Sequence, residues 1–136
     1  MILIDTGPLV ALLDRNDPNH ARVLAAAKRL PAERLLTTVP CLTEAMHFAG
    51  KESGTFGQAQ LWQLISSEKL AVHGHSPTKL ARMQCLMVTY GDVPMDFADA
   101  SLVSAAEQLG LVRILTLDWH FRAYRIGGTV SFDVLL

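Results

Sequence analysis

Short apolar runs alternate with longer amphipathic stretches along this chain, and an acid repeatedly stands where a run ends or a helix begins. Ile2-Leu3-Ile4 leads into Asp5, and Ile114-Leu115-Thr116-Leu117 leads into Asp118. Glu44, Asp96 and Asp99 fall in the first turns of predicted helices. Strands alternating with helices, without repeats, low complexity or a linker, predict an α/β fold of three layers: a central parallel sheet flanked by helices. In such a sheet the strands end along one edge, where ligand sites form. Acids from distant parts of the sequence can converge there, and clustered carboxylates repel one another unless a cation joins them.

Residues 2–4 predict a short buried strand, after which Asp5-Thr6-Gly7-Pro8 opens a helix with a capping residue and an early proline. A helix is expected over residues 20–30, a strand over 35–39, and a helix from Pro40 to Phe48. Gly50, Ser53, Gly54 and Gly57 mark a mobile connection or helix break before helical character resumes over 58–66. Residues 69–73 predict the third strand. Pro77 starts a long helix with Leu80, Met83, Met87 and Tyr90 at core-like spacing, closed by Gly91. Residues 96–108 form the clearest predicted helix, stopped by Gly110; strands are expected over 112–117 and 130–132.

At 136 residues the expectation is one compact domain spanning residues 1–136. A hydrophobic content of 50% and a mean hydropathy of +0.25 fit a sheet covered on both faces. No apolar run reaches bilayer-spanning length, and no basic segment precedes the first apolar run, as a secretory signal requires. A soluble cytoplasmic protein without a membrane partner is expected. Cys41 and Cys85 lie far apart without CxxC spacing, so reduced packing thiols are expected rather than a disulfide or a nucleophile. The net charge of −1 comes from 12 Lys+Arg against 13 Asp+Glu. Setting the five acids aside leaves eight against those 12, a surplus of four positive charges on the remaining surface. A basic rim around an acidic pocket suits a polyanionic substrate.

Asp99 lies on the stripe Asp99, Leu102, Val103 and Ala106, which places it near the buried side of its helix. Capping is the competing explanation: Asp96 as N-cap, Asp99 as a first-turn acid, Asp5 and Asp118 as caps of the helical segments after them. Glu44 is a common residue near a helix start, yet it shares a face with Cys41 and Phe48. Thr6 adjoins Asp5, and Thr116 stands two before Asp118, where it can orient that carboxylate or a metal-bound water if strand register continues. The histidines do not form a zinc framework, and hard oxygen ligands favour Mg²⁺ or Mn²⁺. His120 reads as a helix-surface residue. Trp62, with Leu61 and Ile65, reads as core packing or a partner surface. Arg122 and Arg125 can hold phosphate or lie solvated at the surface.

With these residues the sequence resembles the PIN-domain family, and within it the VapC toxins of bacterial and archaeal toxin–antitoxin pairs. The resemblance rests on Asp5-Thr6 after an opening strand and on Glu44 in a mid-chain helix. It extends through Asp96-Phe97-Ala98-Asp99-Ala100-Ser101-Leu102 to Thr116-Leu117-Asp118-Trp119-His120-Phe121. It implies a metal-dependent endoribonuclease, with Asp5, Glu44 and Asp99 at the core acidic positions and Asp118 at a more variable fourth. Asp5, Asp99 and Asp118 would bind metal, with Asp96 an accessory acid. The toxin role implies an RNA substrate, a VapB-like antitoxin and a homodimer. A PIN nuclease of ordinary RNA processing and a non-catalytic RNA-binding or protein-interaction module are the alternatives. A haloacid-dehalogenase-type phosphatase would need an aspartate where Gly7 stands; a receiver domain would need a late lysine, and none occurs after Lys79. The GxxxxGK[ST] phosphate loop is absent.

Overall fold

A computed structural model describes all 136 residues. Five parallel strands form the central sheet: β1 (Ile2–Ile4), β2 (Leu35–Thr38), β3 (Leu70–His73), β4 (Arg113–Leu115) and, at one edge, Asp133–Val134. Their order is β3-β2-β1-β4 and then the Asp133–Val134 strand, so β1 lies in the middle. Side chains on a strand alternate between faces. Accordingly Ile2 and Ile4 enter one core cluster with Leu9, Ala26, Ala45 and Leu61, while Leu3 enters the other with Met83, Leu86, Leu102 and Val103. Helices α1 (Thr6–Leu13), α2 (His20–Arg29) and α3 (Val39–Ser66) therefore supply one outer layer. Helices α4 (Pro77–Thr89) and α5 (Phe97–Leu109) supply the other. The expected three-layer α/β architecture is the one found.

Local chemistry explains the helix boundaries that matter here. Asp5 caps α1 by accepting the Thr6 N–H at 2.7 Å, and Pro8 sits in the first turn, where its missing N–H is harmless. Thr38 caps α3, so β2 runs straight into that helix. Asp96 and Asp99 cap α5 reciprocally, and Gly110 ends it in the left-handed conformation at φ 66°.

The expected break in α3 narrows to one residue, Gly54, at φ 58° and ψ −144°, with helix on both sides. The turn brings Gly57 so close to the preceding segment that a Cβ there would stand 2.6 Å from the Ala49 carbonyl oxygen. The last strand also differs from expectation. Val130–Ser131 pairs antiparallel with Arg125–Ile126 in a small hairpin, and Asp133–Val134 is the strand that joins the main sheet. Gly127 and Gly128, both at positive φ, turn that hairpin; the Gly-Gly pair between Ile126 and Thr129 is the sequence signal for it. Leu80 and Trp62 are exposed rather than in the core, which is reached instead by Met83, Leu86 and Leu61.

Gly57→Ala is expected to lower stability by about 1–3 kcal/mol, because its new methyl meets helix backbone rather than a flexible side chain. Gly74→Ala, with nothing within 4 Å of the new Cβ, is the control expected to stay within about 0.5 kcal/mol. Urea denaturation midpoints of the two variants measure the difference.

Candidate functional site

Parallel register builds the site. Ile4 pairs with Leu115, so the next residues along, Asp5 and Thr116, emerge side by side at the sheet's C-terminal edge. Thr116 Oγ1 donates to Asp5 Oδ2 at 2.8 Å and accepts the Asp118 backbone N–H at 3.0 Å. It thus positions the Asp5 carboxylate rather than that of Asp118, correcting the expectation from strand periodicity. β4 has ended at Leu115, and Asp118 has already left strand register.

Asp5 Oδ1 accepts the Thr6 N–H, so both carboxylate oxygens have donors. The hydroxyl of Thr6 donates to Glu44 Oε2 at 3.0 Å, with the Cys41 carbonyl oxygen 3.3 Å away, linking α1 to the exposed Glu44 on α3. Asp99 is 7% exposed, whereas Asp96 is exposed. Asp99 Oδ2 accepts the Asp96 backbone N–H at 3.2 Å and the Tyr124 hydroxyl at 3.0 Å. Asp118 Oδ1 accepts the His120 N–H at 2.9 Å and lies 2.6 Å from His120 Nδ1.

Asp5, Asp96, Asp99 and Asp118 all make the capping contacts that the simpler reading requires. Electrostatics distinguishes two of them from ordinary caps. Burial, reinforced by the charges of Asp118 and Asp96, pushes Asp5 up to about 6 despite its hydrogen bonds from Thr116 and Thr6. Burial and the Asp96 charge push Asp99 up to about 7. None of Asp5, Glu44, Asp96 or Asp99 is in an ion pair. Asp5 at the end of β1 and Asp99 on α5 are thus both held where burial and neighbouring acids resist their ionisation. The donor set is hard oxygen, which fits a hard divalent cation. No three Asp, Glu, His or Cys side chains stand close enough to enclose an ion unaided. An ion of the Mg²⁺ type characteristically keeps several waters, so a full protein cage is not needed.

Tyr124 is the site residue that the sequence did not reveal. It is fully buried, and burial with the adjacent Asp99 charge raises its pKa, keeping the hydroxyl a donor. It lies between the 3₁₀ turn Trp119–Arg122 and the hairpin, where periodicity gives no signal. Cys41 Sγ lies 4.0 Å from Asp5 Oδ1; burial and that carboxylate push the thiol up to about 12, so it remains protonated. Both cysteines are free, as expected. The Arg125 guanidinium donates to the carbonyls of Arg122 and Tyr124. Arg122 is exposed and donates to the Leu136 carbonyl at 3.4 Å.

The chain belongs to the PIN domain family, whose sequence profile matches residues 2–127. No curated protein matches it in sequence. Its fold is similar to that of VapC20 from Mycobacterium tuberculosis, described as a sarcin-ricin loop cleaving toxin. That similarity has a TM-score of 0.78 at 16% identity, covering 87% of this chain and 90% of the other. VapBC2 from Rickettsia felis, bound to a DNA fragment from its promoter, gives 0.67 at 16% identity over 98% of both chains. FitAB bound to an IR36 DNA fragment gives 0.66 at 18% identity, over 99% of this chain and 95% of the other. No helix is long and apolar enough to cross a membrane.

The raised acids fix the sign of a pH effect. Between the ordinary value near 3.8 and about 7, folded protein holds a proton on Asp99 that the unfolded chain releases. The associated stability is fully present below that lower value and lost as pH rises through about 7. Without divalent metal, Asp99→Asn, which cannot ionise, is expected to melt above the wild type at pH 8. The gap should narrow as pH falls toward 5. His75, lowered by burial, contributes the opposite slope equally to both proteins. Thermal melts of both proteins across that range, in EDTA, measure the difference.

Proposed function

We propose that this chain is a metal-dependent endoribonuclease that hydrolyses RNA phosphodiester bonds, and that it is the toxin of a VapBC-type toxin–antitoxin pair. The observation that carries the chemistry is the pair Asp5 and Asp99, whose ionisation is opposed by burial and by neighbouring acids, with no basic side chain paired to either. PIN family membership and the fold shared with VapC20, a sarcin-ricin loop cleaving toxin, support the nuclease reading. The fold shared with VapBC2 and FitAB supports the toxin–antitoxin assignment.

In this reading Asp5, Asp99 and Asp118 hold Mg²⁺ or Mn²⁺, Glu44 completes the catalytic acids, and Asp96 acts as an accessory acid. A divalent cation there supplies two effects: a lower pKa for bound water and neutralisation of charge on the attacked phosphate. The chain's own side chains do the positioning. Thr116 and the Thr6 N–H fix both oxygens of Asp5. The Tyr124 hydroxyl and the Asp96 N–H fix Asp99, and the Thr6 hydroxyl fixes Glu44. No protein nucleophile is needed, and the protonated Cys41 is not one.

The same reading makes the chain one PIN domain over residues 1–136, acting in the cytoplasm as a homodimer. A VapB-like antitoxin would block the acidic pocket, a basic side chain pairing with these carboxylates. Purified antitoxin-free protein is expected to cut members of a structured-RNA panel with Mg²⁺ or Mn²⁺ and to stop in EDTA. Asp5→Asn and Asp99→Asn should each lower the cleavage rate by at least about 100-fold while remaining folded by circular dichroism. Full activity in either folded variant would contradict the site assignment.

A further inference from the structure

Beside the carboxylates lies a second feature, opposite in charge. Arg22 on α2, Trp119 and Arg122 on the 3₁₀ turn, and Thr116, Asp118 and Leu136 line a cleft of about 120 Å³. Thr116 and Asp118 belong also to the acidic site, so the cleft adjoins it. Neither guanidinium is in an ion pair, and Arg22 makes no hydrogen bond; Arg122 has only the long contact to the Leu136 carbonyl. Arg29, one helical face along α2, joins Arg22 in the adjoining depression. Trp119 is 67% exposed, yet it is not loose. Its ring lies 4.2 Å from that of His120, tilted by 39°, and the Nδ1 of His120 is in turn 2.6 Å from Asp118 Oδ1.

Two guanidiniums outside any ion pair and a propped, exposed indole are complementary to phosphate and to a flat apolar ring. A nucleotide presents both groups, and the indole can reach a base face only where the base is unpaired. We propose that Arg22, Arg122 and Trp119 form a subsite for a nucleotide of single-stranded RNA adjoining the bond to be cut. The guanidiniums take its phosphate and the indole stacks on its base. The subsite rests on the endoribonuclease reading and extends it to a substrate class, an unpaired segment rather than a duplex. It also joins Arg122 to Arg22, a residue on a helix a hundred positions earlier in the sequence.

The test uses intrinsic fluorescence, because the chain has two tryptophans and Trp62→Phe leaves Trp119 as the only one. In the cleavage-deficient Asp99→Asn background, a short single-stranded RNA of mixed sequence is expected to quench Trp119 emission on binding. With end-labelled RNA monitored by anisotropy, Trp119→Ala should weaken binding by roughly ten-fold, and Trp119→Phe should restore part of it. Arg22→Ala and Arg122→Ala should each reduce the slope of log affinity against log salt by about 0.7, the loss of one phosphate contact. RNA that binds with unchanged Trp119 emission, and with the same affinity and salt slope in Arg22→Ala, would overturn the subsite alone. Protein that neither binds nor cuts any RNA would overturn the subsite and the nuclease reading together.

Discussion

Carboxylates withdrawn from water without a positive partner oppose their own ionisation, and the strand-edge end of this protein is arranged around that opposition. Asp5 and Asp99 receive hydrogen bonds only from neutral donors: a threonine hydroxyl, a cysteine thiol, a tyrosine hydroxyl and backbone N–H groups. The hydroxyls and N–H groups lower the acids' pKa values, but burial and neighbouring acids outweigh them. Neutral donors orient a carboxylate without cancelling its charge, leaving the charge available to a cation that arrives later. An arginine in the place of Tyr124 would do the reverse, holding Asp99 ionised and satisfied.

The fold supplies that arrangement with few dedicated contacts. A parallel sheet puts Asp5 and Thr116 next to each other because their strands are neighbours in register, although the chain between them covers most of the molecule. The start of α3 brings Glu44 beside Thr6, and the start of α5 brings the Asp96–Asp99 pair to the same edge. Helix capping and site construction are therefore the same contacts seen twice. Asp99 accepts the Asp96 N–H as part of a capping box, and that bond also holds the carboxylate that Tyr124 contacts. No lysine or arginine pairs with these carboxylates; Arg22 and Arg122 lie in a neighbouring cleft that Asp118 also lines, outside any ion pair.

Much of this is legible in the sequence, and the reasons are specific. Apolar runs ending in Asp5 and Asp118 mark strand ends, and parallel topology then requires those ends to share an edge. The spacing of Asp96 and Asp99 announces a helix start. The hidden part depends on side-chain geometry across elements or on irregular backbone. Thr116 is visible as a neighbour of Asp118, but its acceptor is Asp5, reached across β1 and β4. Tyr124 sits in a segment with no periodicity, and Arg22 looks like any surface residue of an amphipathic helix. The two-residue strands near the end are too short for alternation to declare itself, which is why sequence pattern misplaces the final strand but not the long elements.

Proton release on metal binding tests the central claim most directly, because acids that resist ionisation must give up their protons to a cation. Calorimetric titration with Mn²⁺ at pH 6.5, repeated in buffers of different ionisation enthalpy, counts those protons. The predicted result is net proton release that fades toward zero by about pH 8.5 and falls in Asp99→Asn. Mn²⁺ binding with no proton release at pH 6.5, or with release unchanged in Asp99→Asn, would contradict the account.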